Sequence, residues 1–156
     1  VAEEFRFVIS MEKLKHLSLD PKRSKDFDDY YLSREKRIRY FVRSNDDRAG
    51  KFFLIESKPG SIIKKGQEIT SEEANNLLKE TILLIRKKGC GHISCEGVEG
   101  YAEIVVVFNN INASPLFEEV HIEFEENPSK IPLLSKKIAP LHIIKTGLFD
   151  YIKTKI

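Results

Sequence analysis

In the run Lys36-Arg37-Ile38-Arg39-Tyr40-Phe41-Val42-Arg43, the arginines at 37, 39 and 43 are an even number of residues apart. On a strand they share one face, and Ile38, Tyr40 and Val42 take the other. Guanidinium forks presented in a row suit phosphate oxygens. The same parity groups Glu4 with Arg6, Glu56 with Lys58, Lys64 with Glu68, and Glu119 with His121, Glu123 and Glu125. In most of these segments the opposite face is largely apolar. If they belong to one sheet, its polar face carries cations on some strands and carboxylates on others. The cations suit a polyphosphate. The carboxylates suit magnesium or manganese, whose preference for hard oxygen ligands lets the ion bridge acids and phosphate. The ordinary alternative is a solvated face with cross-strand charge pairs, on which the Glu119 to Glu125 row is an acidic edge and His121 a surface residue.

The elements that must carry these side chains follow from periodicity. Phe5, Phe7 and Ile9 alternate with Glu4, Arg6 and Val8, which predicts a strand. Ser10 can cap a short amphipathic stretch from Met11 to Leu17, and Pro21 with the charged run 22–29 reads as a loop. Strands are expected over 29–32, 36–43, 51–58 and 62–69, with a polar turn at 44–50 and Pro59-Gly60 as a breaker. Thr70 followed by Glu73 is a capping-box pattern. The helix it opens is predicted to place Ala74, Leu77, Leu78, Ile82 and Ile85 on one face and to end in Arg86-Lys87-Lys88-Gly89. Strands follow over 92–94, 101–108 and 118–125, the run Ile104 to Val107 reading as covered on both faces. Pro128, Pro132 and Pro140 limit the tail to helices that are short or start just after a proline. The expectation is a single α+β domain over 1–156, built round a curved antiparallel sheet.

Composition bounds the partners. With 26 basic and 24 acidic residues the formal charge is +2, so binding charge must be local, and nothing in bulk favours nucleic acid or a membrane. Cys90, His92 and Cys95 supply three soft ligands where a structural zinc takes four, which predicts free thiols on a hairpin. No apolar run approaches the length of a membrane span, and Val1-Ala2-Glu3-Glu4 does not read as a signal peptide, so the expected compartment is the cytoplasm.

The order of these segments resembles the CYTH-like, or triphosphate tunnel metalloenzyme, superfamily across most of the chain. Members open with a Glu-x-Glu-x-Lys strand. Glu4-Phe5-Arg6-Phe7 is similar to its second half, with Arg6 in the lysine place and Ala2 where the first glutamate stands. Arg37-Ile38-Arg39 is similar to the family's Arg-x-Arg strand, and Leu54-Ile55-Glu56-Ser57-Lys58 to its strand ending in lysine. Glu68-Ile69-Thr70-Ser71-Glu72-Glu73-Ala74 is similar to the acidic strand and the helix after it. Two later landmarks depart: Val106 stands where members carry an aspartate before Phe108, and His121-Ile122-Glu123 replaces a Glu-x-Glu pair.

The resemblance implies an eight-stranded antiparallel β-barrel, a tunnel with flanking helices, that binds triphosphate through a basic half and divalent metal through an acidic half. It implies phosphate contacts from Arg6, Arg37, Arg39, Arg43, Lys58 and Lys64, and magnesium or manganese at Glu4, Glu68, His121 and Glu123. Ligands in the family's range are small triphosphates, polyphosphate and the RNA 5′ end. Hydrolysis needs one metal to activate phosphate and, by common proposal, a second to help deliver water. The departures at Ala2, Val106 and His121 leave material for one metal. The expected function is therefore triphosphate or nucleotide binding with weak or altered hydrolysis. A metal-dependent triphosphatase, a degenerate binding or protein-interaction domain, and a tunnel-less module contacting acidic protein or RNA beside Tyr40 and Phe41 remain as alternatives.

Overall fold

A computed structural model of the chain describes residues 5–58 and 64–156, with Lys64, Lys65 and Ser129 described as backbone only. It is an α+β protein. Among the described residues four helices accompany an antiparallel sheet of nine strands in the order β5-β4-β3-β2-β6-β7-β8-β1-β9. The ladder ends at β5 and β9. The chain divides into two compact units: Val1–Ser24, Gly89–Val105 and Glu118–Ile156, and Lys25–Lys88 with Val106–Phe117.

In the first unit, β1 (Phe5–Ile9) pairs antiparallel with β8 (Pro115–Phe124) and β9 (His142–Ile144), placing Arg6 opposite Glu123 and Val8 opposite His121. Its alternation holds as predicted. Phe7 and Ile9 enter a core with Ala102 of β7 (Val98–Phe108), Ile122, and Leu134 and Ile138 of α3 (Pro132–Ile138), and Phe5 packs against it. Arg6 is left on the other face. Ser10 caps α1 (Met11–His16), its hydroxyl accepting from the Lys13 N–H at 3.1 Å. α3 starts on its proline, and α4 (Leu148–Lys155) follows β9. At Gly100 a Cβ would run into the ring of Phe124, so the ring packs there only because the side chain is absent.

In the second unit, β2 (Asp26–Tyr31), β3 (Lys36–Arg43), β4 (Phe52–Ser57) and β5 (Lys64–Ile69) form a meander, and residues 83–88 of β6 (Leu83–Cys95) lie along β2. The capping box forms: the Thr70 hydroxyl accepts from the Glu73 N–H at 3.1 Å, and the Glu73 carboxylate accepts from the Thr70 N–H at 3.2 Å. α2 (Ser71–Leu78) packs Ala74, Leu77 and Leu78 on Ile38 and Ile69, with Tyr30 and Leu54 alongside. The helix thus covers the face of β2 and β3 that bears Tyr30 and Ile38. By the period-2 alternation, Asp29, Tyr31, Arg37 and Arg39 share the opposite face.

Several expectations are corrected. The helix opened by Thr70 stops at Leu78, and Leu83–Cys95 is a strand. Leu83, Leu84 and Ile85 are all buried, so the strand is covered on both faces there and shows no alternation to distinguish it from a helix. Lys87 therefore belongs to the sheet and not to a helical last turn. β2 begins at Asp26, inside the predicted loop. As expected, Cys90 and Cys95 form no disulfide and lie on a hairpin, in its first strand β6, which turns at Glu96-Gly97 into β7. β8 opens at Pro115, ahead of the strand expected over 118–125, and β9 was not anticipated. In the Ile104 to Val107 run, Val105 and Val107 are fully buried while Ile104 and Val106 are half-buried.

Candidate anion site

Register builds the site in the second unit. Asp29 on β2 faces Arg39 on β3, Tyr31 faces Arg37, and Phe27 faces Lys87 on β6. Arg39 grips Asp29 with a fork: Nε donates to Oδ1 at 2.8 Å and Nη2 to Oδ2 at 3.0 Å. Its guanidinium also lies over the Phe27 ring, 4.0 Å from the centroid. Arg37 Nη1 donates to the Tyr31 hydroxyl at 2.8 Å, and its guanidinium stacks over that ring at 5.3 Å. Lys87 Nζ approaches Asp29 Oδ2 to 3.8 Å and the Phe27 centroid to 5.2 Å. Three cations thus converge on one carboxylate.

Asp29 is wholly buried, and Arg37 and Lys87 nearly so, with side chains 11% and 7% exposed. Burial pushes the Asp29 carboxyl up. The charges of Arg39 and Arg37, the Arg39 hydrogen bonds and Lys87 outweigh that and hold it far below the usual carboxylate range. Burial is the main cause of the raised Tyr31 hydroxyl, which therefore stays protonated. Arg37 Nε is a buried donor 3.4 Å from Asp29 Oδ2, yet it has no hydrogen-bond acceptor among the described residues. Native proteins rarely leave such a donor unanswered. An open hollow of about 340 Å³ is lined mainly by Asp26, Asp28, Val42, Arg86 and Lys88; by the alternation of β2, β3 and β6 most of these take the face opposite Asp29 and Arg39, so the hollow is not a cavity of the cluster.

The first unit holds a second polar network of opposite construction. Arg6 bridges two acids, donating from Nη1 to Glu103 at 2.8 Å and from Nη2 to Glu123 at 2.9 Å. Its Nη1 also lies 3.2 Å from Nδ1 of His121, which is fully buried. His121 Nε2 meets Glu119 at 3.1 Å, and Glu119 accepts further bonds from the Tyr151 hydroxyl at 2.9 Å and Lys155 at 2.6 Å, both on α4. Burial lowers the His121 pKa, and Arg6 adds to that against the hydrogen bond to Glu119. The ring is therefore neutral, its Nε2–H donating to Glu119 and its Nδ1 accepting from Arg6. Burial raises the Glu119 carboxyl, but the hydrogen bonds from His121, Lys155 and Tyr151 prevail and bring it down to about 2.

Of the residues selected from sequence, Arg37 and Arg39 come together. Arg6 is in the first unit, committed to Glu103 and Glu123. Arg43 is half-exposed at the end of β3 and forks Asp26. Lys58 is exposed just past β4, and the Lys64 side chain and all of Glu4 lie outside the described residues. Glu68 is exposed on β5, 3.7 Å from Lys51, in the second unit, whereas His121 and Glu123 lie in the first. Among the described residues no group of three His, Cys, Asp or Glu side chains is arranged to hold a metal ion. Both ring nitrogens of His121 are engaged and Glu123 is gripped by Arg6, so the described donors do not fit the metal centre implied by the resemblance. Sequence reasoning missed Asp29, Tyr31 and Lys87. The signal for the first two was the alternation Phe27, Asp29, Tyr31 beside Arg37 and Arg39; for Lys87 it was Leu83, Ile85, Lys87. No protein-family model, curated protein or solved structure matches the chain.

Proposed function

We propose that this chain binds the phosphate groups of a triphosphate-bearing small molecule, nucleotide or polyphosphate through Arg37, Arg39 and Lys87, as a divergent relative of the triphosphate tunnel metalloenzymes. The observation that carries this reading is the buried Arg37 Nε, without an acceptor among the described residues, beside two further cations that share Asp29 with it. The ion pair with Asp29 at 3.4 Å returns part of the cost of desolvating that donor, and no described group returns the rest as a hydrogen bond. A phosphate oxygen supplies the acceptor, and its charge relieves the mutual repulsion of the cations.

The reading favours binding over hydrolysis. Glu123, His121 and Glu119 are engaged with Arg6, Tyr151 and Lys155, so any magnesium or manganese is expected to arrive chelated by the ligand. The closed tunnel, a cytoplasmic location and recognition of an RNA 5′ end as one possible ligand belong to the same proposal. Among the described residues no helix is long and apolar enough to cross a membrane.

The test is calorimetry and thermal shift with inorganic triphosphate, ATP, GTP and polyphosphate at low salt, with and without magnesium or manganese, assaying phosphate release alongside. Stabilisation without release is expected. Release that depends on added metal would instead establish a hydrolase, and no stabilisation by any of the four would defeat the reading.

A further inference from the structure

Asp29 has an unexpected place for a site that takes anions, since a buried carboxylate at its centre repels the ligand. Its geometry resolves the conflict. Both oxygens accept from the Arg39 fork, at 2.8 and 3.0 Å, directly across the β2–β3 ladder. That grip, with Phe27 beneath the guanidinium at 4.0 Å, fixes the Arg39 plane in one orientation. Arg37 is oriented from its other end by the Tyr31 hydroxyl, which leaves Nε 3.4 Å from Asp29 and without a hydrogen-bond acceptor among the described residues. Guanidinium groups this close repel one another, and without a shared counter-charge they would turn towards solvent.

We propose that Asp29 is a positioning residue: it holds Arg39, and through their shared charge Arg37 and Lys87, in the arrangement that meets a phosphate group. This rests on the phosphate-binding reading of the same cluster. The two possible roles of Asp29 predict opposite signs. If the carboxylate only offsets charge, Asp29→Asn makes the site more positive and anions bind more tightly. If it positions the arginines, binding weakens despite the added positive charge.

The experiment is titration calorimetry of the full chain with inorganic triphosphate at low salt, without metal, on wild type, Asp29→Asn, Arg39→Lys and the double variant, with folding checked by circular dichroism. Arg39→Lys keeps the charge but removes the fork. Each single variant is expected to bind about tenfold more weakly, the loss of one charge-assisted hydrogen-bond arrangement. The double variant is expected to be no weaker than either single one, because both changes break the same interaction. Unchanged or tighter binding by Asp29→Asn, or multiplicative losses in the double variant, would overturn the inference. If Asp29→Asn does not fold, Arg39→Lys decides alone, and wild-type affinity in it refutes positioning. Arg37→Ala separates the two levels: if it binds triphosphate as wild type does, the ligand sits elsewhere and the phosphate-binding reading itself fails.

Discussion

The two units use the same device, a charged row on one face of an antiparallel sheet, with opposite balance. In the second unit Arg37, Arg39 and Lys87 share the single carboxylate of Asp29. In the first, Arg6 serves both Glu103 and Glu123, while Glu119 takes hydrogen bonds from His121, Tyr151 and Lys155. The acidic network engages its polar groups through the protein itself, with α4 completing it, whereas the cationic cluster retains an Arg37 donor that no described residue answers with a hydrogen bond. A charged row on a sheet therefore does not define a site until register shows which side chains are already engaged.

The largest expected effect is on the shared carboxylate. Arg39→Ala strips the fork from a fully buried Asp29 and should lower unfolding free energy by about 3–5 kcal/mol in urea titration. A loss below about 1 kcal/mol would mean that Arg37 and Lys87 suffice and that the fork matters little. Arg6→Ala should destabilise somewhat less, by about 2–3 kcal/mol, since it strands the buried Glu103 beside a more exposed Glu123. It should leave triphosphate affinity unchanged. A fall in affinity would break the contrast between a structural arginine and a binding cluster.

Acid should distinguish the networks next. The folded pKa of His121 lies below its ordinary 6.5, so the unfolded chain takes up the proton first. Its stabilisation is complete above about 6.5 and is lost as pH falls. Glu119, lowered from 4.5 to about 2, contributes stability present above its ordinary value and lost on acidification through that interval. Asp29 follows the same sign but only below the ordinary aspartate range. Between pH 7 and 5 the wild type should lose stability, and His121→Gln should flatten that slope; an unaltered slope would place the titration elsewhere. The smallest effect belongs to Arg43→Ala. Its fork to Asp26 is half-exposed, and removing it should change stability by less than about 0.5 kcal/mol.

Much of this arrangement was legible in the sequence where one face of a strand is apolar and the other polar. β1 and β3 announced themselves that way, as did the caps at Ser10 and Thr70. β6 did not, because burial on both faces at Leu83 to Ile85 erases the period of two, and Lys87 was lost with it. Asp29 was hidden for a different reason. It stands where the charged run 22–29 meets the strand expected over 29–32, and only its register opposite Arg39 makes it the centre of a cluster. The partners of Arg6 were divided similarly: Glu123 lay in a visible acidic row, while Glu103 sat in an apolar strand 97 residues away along the chain.

The most direct measurement is the affinity of wild type and Arg37→Ala for inorganic triphosphate at low salt without metal. Micromolar binding by wild type, weakened at least about tenfold in a folded Arg37→Ala, is the predicted result. Equal affinity in the two proteins, or no binding by either, would contradict a phosphate site built on Arg37.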